Sequence, residues 1–269
     1  MRKVIITGTK GFIGSNLKKR LEWDYEVIEI NEDIFDNPNW RDEIESIIKK
    51  SEAQVFYHIG ACSDTLNQDV NYMMKLNFES TKIISDVCFE IGLPLVYSSS
   101  AAVYGIDDKS PSNLYGWSKW MGECYVIQNG GIALRYFNVY GPGEDRKGRM
   151  ASVAYQMWQK NKSGEEIKLF PKKPSRDFVY VDDIISANIF AYENYYDLLG
   201  KWYEVGSGES RTFEDVLNIL GIDFGYLSED LIPNGYQFFT KSQSSRWMGG
   251  WLPIFNLERG LKDYKNYLI

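Results

Sequence analysis

Tyr115 and Lys119 lie four residues apart in the run Leu114-Tyr115-Gly116-Trp117-Ser118-Lys119. On a helix that spacing puts both side chains on one face. A tyrosine with a pKa of about 10 is a poor base at neutral pH, but a lysine ammonium and a positive nicotinamide beside it favour the phenolate. The phenolate could then take a proton from a carbinol while hydride leaves for the nicotinamide. Taken alone, Tyr-x-x-x-Lys is a common chance spacing and equally an ordinary surface helix.

Two upstream runs raise its significance. Thr7-Gly8-Thr9-Lys10-Gly11-Phe12-Ile13-Gly14 sets three glycines in a G-x-x-G-x-x-G spacing between an apolar strand-like run and a helical start. Glycine lets such a turn take unusual dihedrals and lets a pyrophosphate approach the backbone and the helix N-terminus. The second is Tyr97-Ser98-Ser99-Ser100-Ala101, which follows another strand-like run. Ser100 is the candidate to meet Tyr115 and a substrate oxygen; turn capping is its ordinary alternative.

The second strand-like run, Glu26–Ile30, ends at Asn31, where an acid would bind a ribose 2′-hydroxyl. A neutral residue there removes one repulsion against a 2′-phosphate, which allows NADP. No arginine immediately follows, and Glu29 and Glu32 flank the site, so these residues leave NADP and NAD both open. Asp33 and Ile34 either flank the adenine or form a plain turn.

The chain's 269 residues suffice for one large or two modest domains. A net charge of −7, from 30 basic and 37 acidic side chains, gives no support to nucleic-acid binding. No apolar run is long enough to cross a membrane, and the N-terminus reads as a first strand rather than a signal peptide. Cys62, Cys88 and Cys124 are dispersed and lack metal spacing. They suggest a reducing, cytoplasmic compartment and buried apolar roles. The single histidine, His58, reads as structural, and no metal site is expected.

Strand-like and helical runs alternate through the first half. Strands are expected at 3–7, 26–30, 54–58, 93–98 and 132–136. Helices are expected from Gly11–Gly14 to Leu21, around Trp40–Ile48, over 71–91 and over 115–128. This alternation predicts an α/β protein with a parallel, doubly wound sheet. After Gly141-Pro142 a charged loop (Glu144, Asp145, Arg146, Lys147, Arg149) precedes a helix over about 150–160. Phe178–Val181 reads as a return to the sheet, Thr212-x-x-Asp215 as a capped helix start, and 257–267 as a closing helix. A second domain is therefore expected to interleave with the first.

The chain resembles the extended short-chain dehydrogenase/reductase family of nucleotide-sugar epimerases and dehydratases. The likeness rests on the glycine run, Ser98-Ser99-Ser100-Ala101, Tyr115-x-x-x-Lys119, Arg135-Tyr136-Phe137-Asn138-Val139-Tyr140-Gly141-Pro142 and Arg176-Asp177-Phe178-Val179-Tyr180-Val181-Asp182-Asp183. Within the family, Gly60-Ala61-Cys62-Ser63, Tyr72-Met73-Met74, the run Lys147–Ala154 and Gly235-Tyr236-Gln237-x-Phe239-Thr240 are similar to the branch of ADP-glycero-manno-heptose 6-epimerases.

The resemblance implies a Rossmann-type dinucleotide domain, 1–140 plus about 177–206. It implies a smaller substrate domain, about 141–176 plus 207–269. It implies tightly held NADP along Gly8, Gly11, Phe12, Ile13, Gly14, Asn31, Asp33, Ile34, Gly60, Ala61, Asn77, Tyr115, Lys119 and Val139. It makes Lys147 a second acid/base opposite Tyr115, with Lys119 holding the nicotinamide ribose and lowering the Tyr115 pKa. A nucleotide-activated sugar would meet Ser100, Asn138, Arg149, Gln156, Phe170, Arg176 and Tyr236. Arg176 suits a diphosphate, an ion pair with Asp177 being its plain alternative. Arg149 stands where the branch has a small hydroxyl residue, and Gln156 where it has a histidine. The segments between Ile30 and Trp40 and between Tyr104 and Leu114 are shorter than in that branch. A homo-oligomer is expected from the same resemblance. A reductase or dehydratase of the family and a non-catalytic dinucleotide binder are the competing readings.

Overall fold

A computed structural model describes residues 1–106, 109–233 and 235–268. Its strands are β1 (Arg2–Thr7), β2 (Tyr25–Ile30), β3 (Ala53–His58), β4 (Leu95–Ser100), β5 (Ile132–Tyr136), β6 (Asn138–Tyr140), β7 (Lys168–Leu169), β8 (Ser175–Tyr180), β9 (Trp202–Val205), β10 (Ser210–Thr212) and β11 (Gly225–Tyr226). Its helices are α1 (Phe12–Leu21), α2 (Trp40–Lys50), α3 (Val70–Met74), α4 (Ser80–Ile91), α5 (Leu114–Gln128), α6 (Val153–Ser163), α7 (Val181–Glu193), α8 (Tyr195–Leu198), α9 (Phe213–Leu220) and α10 (Leu257–Leu268).

The chain divides into two compact units, 1–136 with 185–203, and 137–184 with 204–269. The first unit is built on the six-stranded sheet β2-β1-β3-β4-β5-β9. Strands β1 to β5 pair in parallel. Val4, Ile5 and Ile6 are fully buried, as are all residues of β5. Continuous burial is what a parallel sheet covered on both faces requires. Trp40, Ile44 and Ile48 of α2 and Ile84, Val87 and Cys88 of α4 pack in one core with Ile5, Phe56 and Leu95.

In this sheet the strand order reverses beside β1, with Thr7 in register with His58 of β3. Ligands of open α/β sheets bind where the carboxyl ends of such strands diverge. Gly8 and Gly60 come directly after those strand ends or one residue beyond.

The second unit has its own core, in which Tyr140, Phe178 and Tyr180 pack with Val216, Leu217, Leu220, Leu257, Leu261 and Tyr264. Phe178–Val181 does not rejoin the main sheet. Its strand β8 pairs in parallel with β6 and antiparallel with β10.

Boundaries differ from expectation where a cap intervenes. Gly92 takes φ 69° after α4, and Leu93 N–H bonds the Cys88 carbonyl, so β4 starts only at Leu95. Ser152 caps Tyr155 N–H, which delays α6 to Val153. The run 71–91 is helical but carries a π-helical turn at Lys75–Glu79. The cysteine expectation fails in part: Cys88 is buried, Cys62 is half-buried and Cys124 is exposed on α5.

Candidate active site

Backbone contact shapes the glycine loop. Gly8 has φ +72°, and a Cβ there would fall 2.5 Å from the Gly60 Cα. A Cβ on Gly14 would fall 2.2 Å from the Gly8 carbonyl oxygen. A side chain at either position would force apart the backbone at the end of β1, after β3 and at the start of α1. Gly11 is the extended N-cap of α1, and no side chain among the described residues caps it. Its first N–H groups and helix dipole therefore suit a pyrophosphate. Phe12 is buried and Ile13 is half-buried beside them.

Residues at the end of β2 are tied to this loop. Asn31 Oδ1 accepts from Lys10 N–H at 3.2 Å, and Thr9 bonds both Glu29 and Asn31. Lys18 pairs with Glu29 at 2.6 Å, and the hydrogen bonds from Lys18 and then Thr9 hold the Glu29 carboxyl below its usual range. Exposed Asp33 pairs with Lys10 at 3.2 Å. Ile34 packs against the core of the first unit.

A chain of hydrogen bonds fixes the single histidine. Thr81 O–H donates to the Asn77 carbonyl, so Thr81 Oγ1 must accept from His58 Nε2–H, at 2.8 Å. Nδ1 then accepts from Thr7 O–H at 2.8 Å, and Thr7 Oγ1 accepts from Gly60 N–H at 2.8 Å. Burial, then the nearby Lys119 charge, pushes His58 down to about 3. His58 is a neutral brace that holds Gly60 against the cradle. Asn77 is another brace: its Oδ1 accepts from Cys62 N–H, and its Nδ2 donates to the Cys62 carbonyl and to Ser118. Ala61 is half-buried between the two braced residues.

The three serines after β4 have three different partners. Ser98 donates to the Ile59 carbonyl, and Ser99 donates to Glu123 at 2.6 Å. Ser100 accepts from Ala102 N–H, which is its capping role, and its hydroxyl favours the phenolate of Tyr115.

Helix α5 starts at the Asn113 cap, which accepts from Gly116 N–H at 2.8 Å. Tyr115, Lys119 and Glu123 recur every four residues along one face. Close contact of α5 with β4 depends on Gly122, whose Cβ would lie 2.6 Å from the Tyr97 hydroxyl. Lys119 is 2% exposed, and its Nζ lies 4.2 Å from the Tyr97 ring centre. Burial pushes it down to about 7, with the Glu123 charge opposing. Glu123 is itself held by a two-point bond from Arg135, which stacks 3.6 Å from the Trp202 ring.

The expected lowering of the Tyr115 pKa by Lys119 is not found. Burial raises the phenol, and the Ser100 hydrogen bond opposes it. The Lys119 ammonium lies over the Tyr97 ring, and its own burial lowers its pKa.

In the second unit, Val139 is buried in β6 opposite Val179, while Asn138 is exposed and accepts from Thr240 O–H at 3.2 Å. Phe170, Tyr236 and Arg176 cluster, with ring centres 5.1 Å apart and the Arg176 guanidinium 5.6 Å from Tyr236. Arg176 donates to the carbonyls of Ser175 and Gln237, and burial lowers its pKa. It does not pair with Asp177, whose carboxylate accepts from Ser207, Gly208 and Ser242. Gln156 donates to the carbonyls of Ala151 and Arg149, and the Arg149 side chain is exposed. Lys147 is half-buried, and burial lowers its pKa against the Glu144 charge.

Sequence reasoning missed Asp177, Asp183 and Glu144 as anchors. Asp183 accepts from Ile254 and Phe255 N–H, in residues 71 and 72 positions away. Only Glu144 had a local signal, its three-residue spacing from Lys147.

A doubly wound sheet with a glycine cradle at its switch point and a Ser-Tyr-Lys set on the next strand and helix defines a dinucleotide-dependent oxidoreduction centre. Residues 4–206 match the NAD dependent epimerase/dehydratase family, and the chain belongs to that family. It is 33% identical to an ADP-L-glycero-D-manno-heptose-6-epimerase of Brachyspira hyodysenteriae, over 98% of this chain and 97% of that protein. A protein of the same description from Cupriavidus pinatubonensis is 31% identical, over 99% and 98%. Among solved structures, the Helicobacter pylori ADP-L-glycero-D-manno-heptose-6-epimerase superposes with a TM-score of 0.86 at 26% identity, covering 99% of this chain and 96% of that one.

Proposed function

We propose that this chain is a nucleotide-sugar epimerase acting on ADP-glycero-manno-heptose at C6, with tightly held NADP, in the cytoplasm and as a homo-oligomer. The observation that carries the reading is Tyr115 one helical turn from buried Lys119 on α5, with Ser100 at the end of β4 favouring the phenolate. The full-length likeness to two heptose epimerases supports the sugar.

When bound, the dinucleotide supplies the acceptor and donor of the hydride. The turn of Gly8, Gly11 and Gly14 suits its pyrophosphate. Glycine there lets the ends of β1 and β3 and the start of α1 pack backbone to backbone, and the first N–H groups of α1 are left uncapped by any described side chain. Neutral Asn31 repels a 2′-phosphate less than an acid there would, while Lys10 and Lys18 are paired with Asp33 and Glu29. Phe12, Ile13, Ala61, Asp33, Ile34, Asn77 and Val139 belong to the proposed cofactor set, Asn77 as a brace rather than a contact.

Ser100 orients the reacting oxygen and Tyr115 carries its proton. Lys119 holds the ribose beside them. Inversion needs a proton carrier for each presentation of the carbinol, and Lys147 supplies the second. Asn138, Arg149, Gln156, Phe170, Arg176 and Tyr236 receive the nucleotide sugar, Arg176 at the diphosphate.

Purified protein incubated with ADP-D-glycero-D-manno-heptose and no added cofactor should form the C6 epimer, followed by NMR. Release of NADP on denaturation should accompany it. A released dinucleotide without conversion would remove the heptose and keep the epimerase reading for another sugar. Stoichiometric consumption of added NADPH would replace epimerase by reductase.

A further inference from the structure

Five charged side chains occupy the loop from Glu144 to Met150, and they do not behave alike. Asp145, Arg146 and Arg149 are exposed, Lys147 is half-buried, and Glu144 is fully buried. The loop has 3₁₀ character, in which residues three apart eclipse, so Glu144 and Lys147 share its inward face.

The Glu144 carboxylate receives donors from both ends of this loop. Gly141 N–H donates at 3.3 Å before it; Ser152 N–H and O–H donate at 2.5 and 2.8 Å after it. Burial holds the phenols of Tyr140 in β6 and Tyr264 in α10 neutral, with the charges of Asp183, Glu258 and then Glu144 adding to the shift at Tyr140 and that of Glu144 at Tyr264. Neither phenol titrates in the working range. Burial raises the Glu144 carboxyl and lowers the Lys147 ammonium, and the Glu144 charge opposes the latter shift.

We propose that Glu144 is a positioning residue for Lys147, tying the two ends of its loop together and giving the ammonium its counter-charge. The proposal rests on the reading of Lys147 as an acid/base. A merely structural carboxylate would fix the loop without setting the lysine's titration. A counter-charge on the shared face does both.

The test uses the full chain, with lysines carrying ¹³C-dimethyl groups and the Lys147 signal assigned through Lys147→Arg. In Glu144→Gln the Lys147 titration should move down by about one pH unit. The kcat should fall about a hundredfold with KM little changed, because the proton carrier is displaced. A Lys147 titration that overlays the parent overturns the proposal. Should the glutamine variant not fold, Ser152→Ala removes one tether, together with the cap of α6, and keeps the carboxylate. There kcat should fall about tenfold with the Lys147 titration in place; an unchanged kcat overturns the proposal. Full turnover in Lys147→Ala overturns instead the acid/base reading beneath it, whatever the titration does.

Discussion

The two units hold their functional residues in different ways. In the first, regular structure does it: Tyr115 and Lys119 sit one turn apart on α5, Ser100 ends β4, and the glycine loop joins β1 to α1. In the second, buried carboxylates do it. Asp177, Asp183, Glu144 and Glu204 each accept from backbone N–H groups of irregular segments. Helices and sheets pair their own backbone groups, whereas a buried loop must find acceptors elsewhere. A carboxylate can take several at once. Chemistry that needs a fixed pair therefore rests on α5 and β4, and a loop shaped for a ligand is braced by a side chain.

The sharpest break of this comparison is Tyr115→Phe. Turnover should fall about 10⁴-fold. Dinucleotide binding and the thermal midpoint should stay, because the hydroxyl caps no backbone group. Retained turnover would remove the centre from the first unit.

The braced histidine gives that unit its weakness in acid. His58 titrates near 6.5 when unfolded and at about 3 when folded. Below 6.5 the unfolded chain binds a proton that the folded chain refuses. Stability should therefore be lost as pH falls from 6.5 toward 3, by up to about 4 kcal/mol. Urea unfolding across that window should show a steep slope in the parent and a shallower one in His58→Asn. Equal slopes would mean that the histidine charges without disturbing the fold.

Asp177→Asn should cost about 3 kcal/mol, since an amide NH₂ then faces N–H and O–H donors. Hydrogen exchange should speed at Ser207, Gly208 and Ser242 while amides of β1, β3 and β4 keep their protection. Uniform loss across both units would erase the distinction drawn here.

The smallest effect tests regular structure in the second unit. Thr212 and Asp215 form a reciprocal capping box at α9. Thr212→Ala should lower stability by about 1 kcal/mol, read as a shift in the urea midpoint at constant slope.

What could be read from the sequence follows the same division. The glycine loop, Tyr115-x-x-x-Lys119 and the Thr212 box depend on spacings of three or four residues, and the structure reproduces them. The three serines at the end of β4 were not told apart by pattern, since strand alternation separates Ser100 from Ser99 but puts Ser98 on the same face. The partners of Asp177 lie 30 to 65 residues away, and no local pattern announces them. The fate of Phe178–Val181 was equally hidden, because an apolar strand run does not say which sheet it joins. The Tyr115 shift depends on where the Lys119 ammonium ends up, and spacing fixes only the face.

The π-helical turn at Lys75–Glu79 amounts to one residue too many between α3 and α4. Deleting a single residue there would heal the ladder into an unbroken α-helix. The repair would swing everything upstream by about 100°, the angle of one α-helical residue. Tyr72, which donates to Glu32 next to Asn31, would then point elsewhere. In this stretch a more regular helix would be a worse one, and its irregularity works as a spacer that aims a turn.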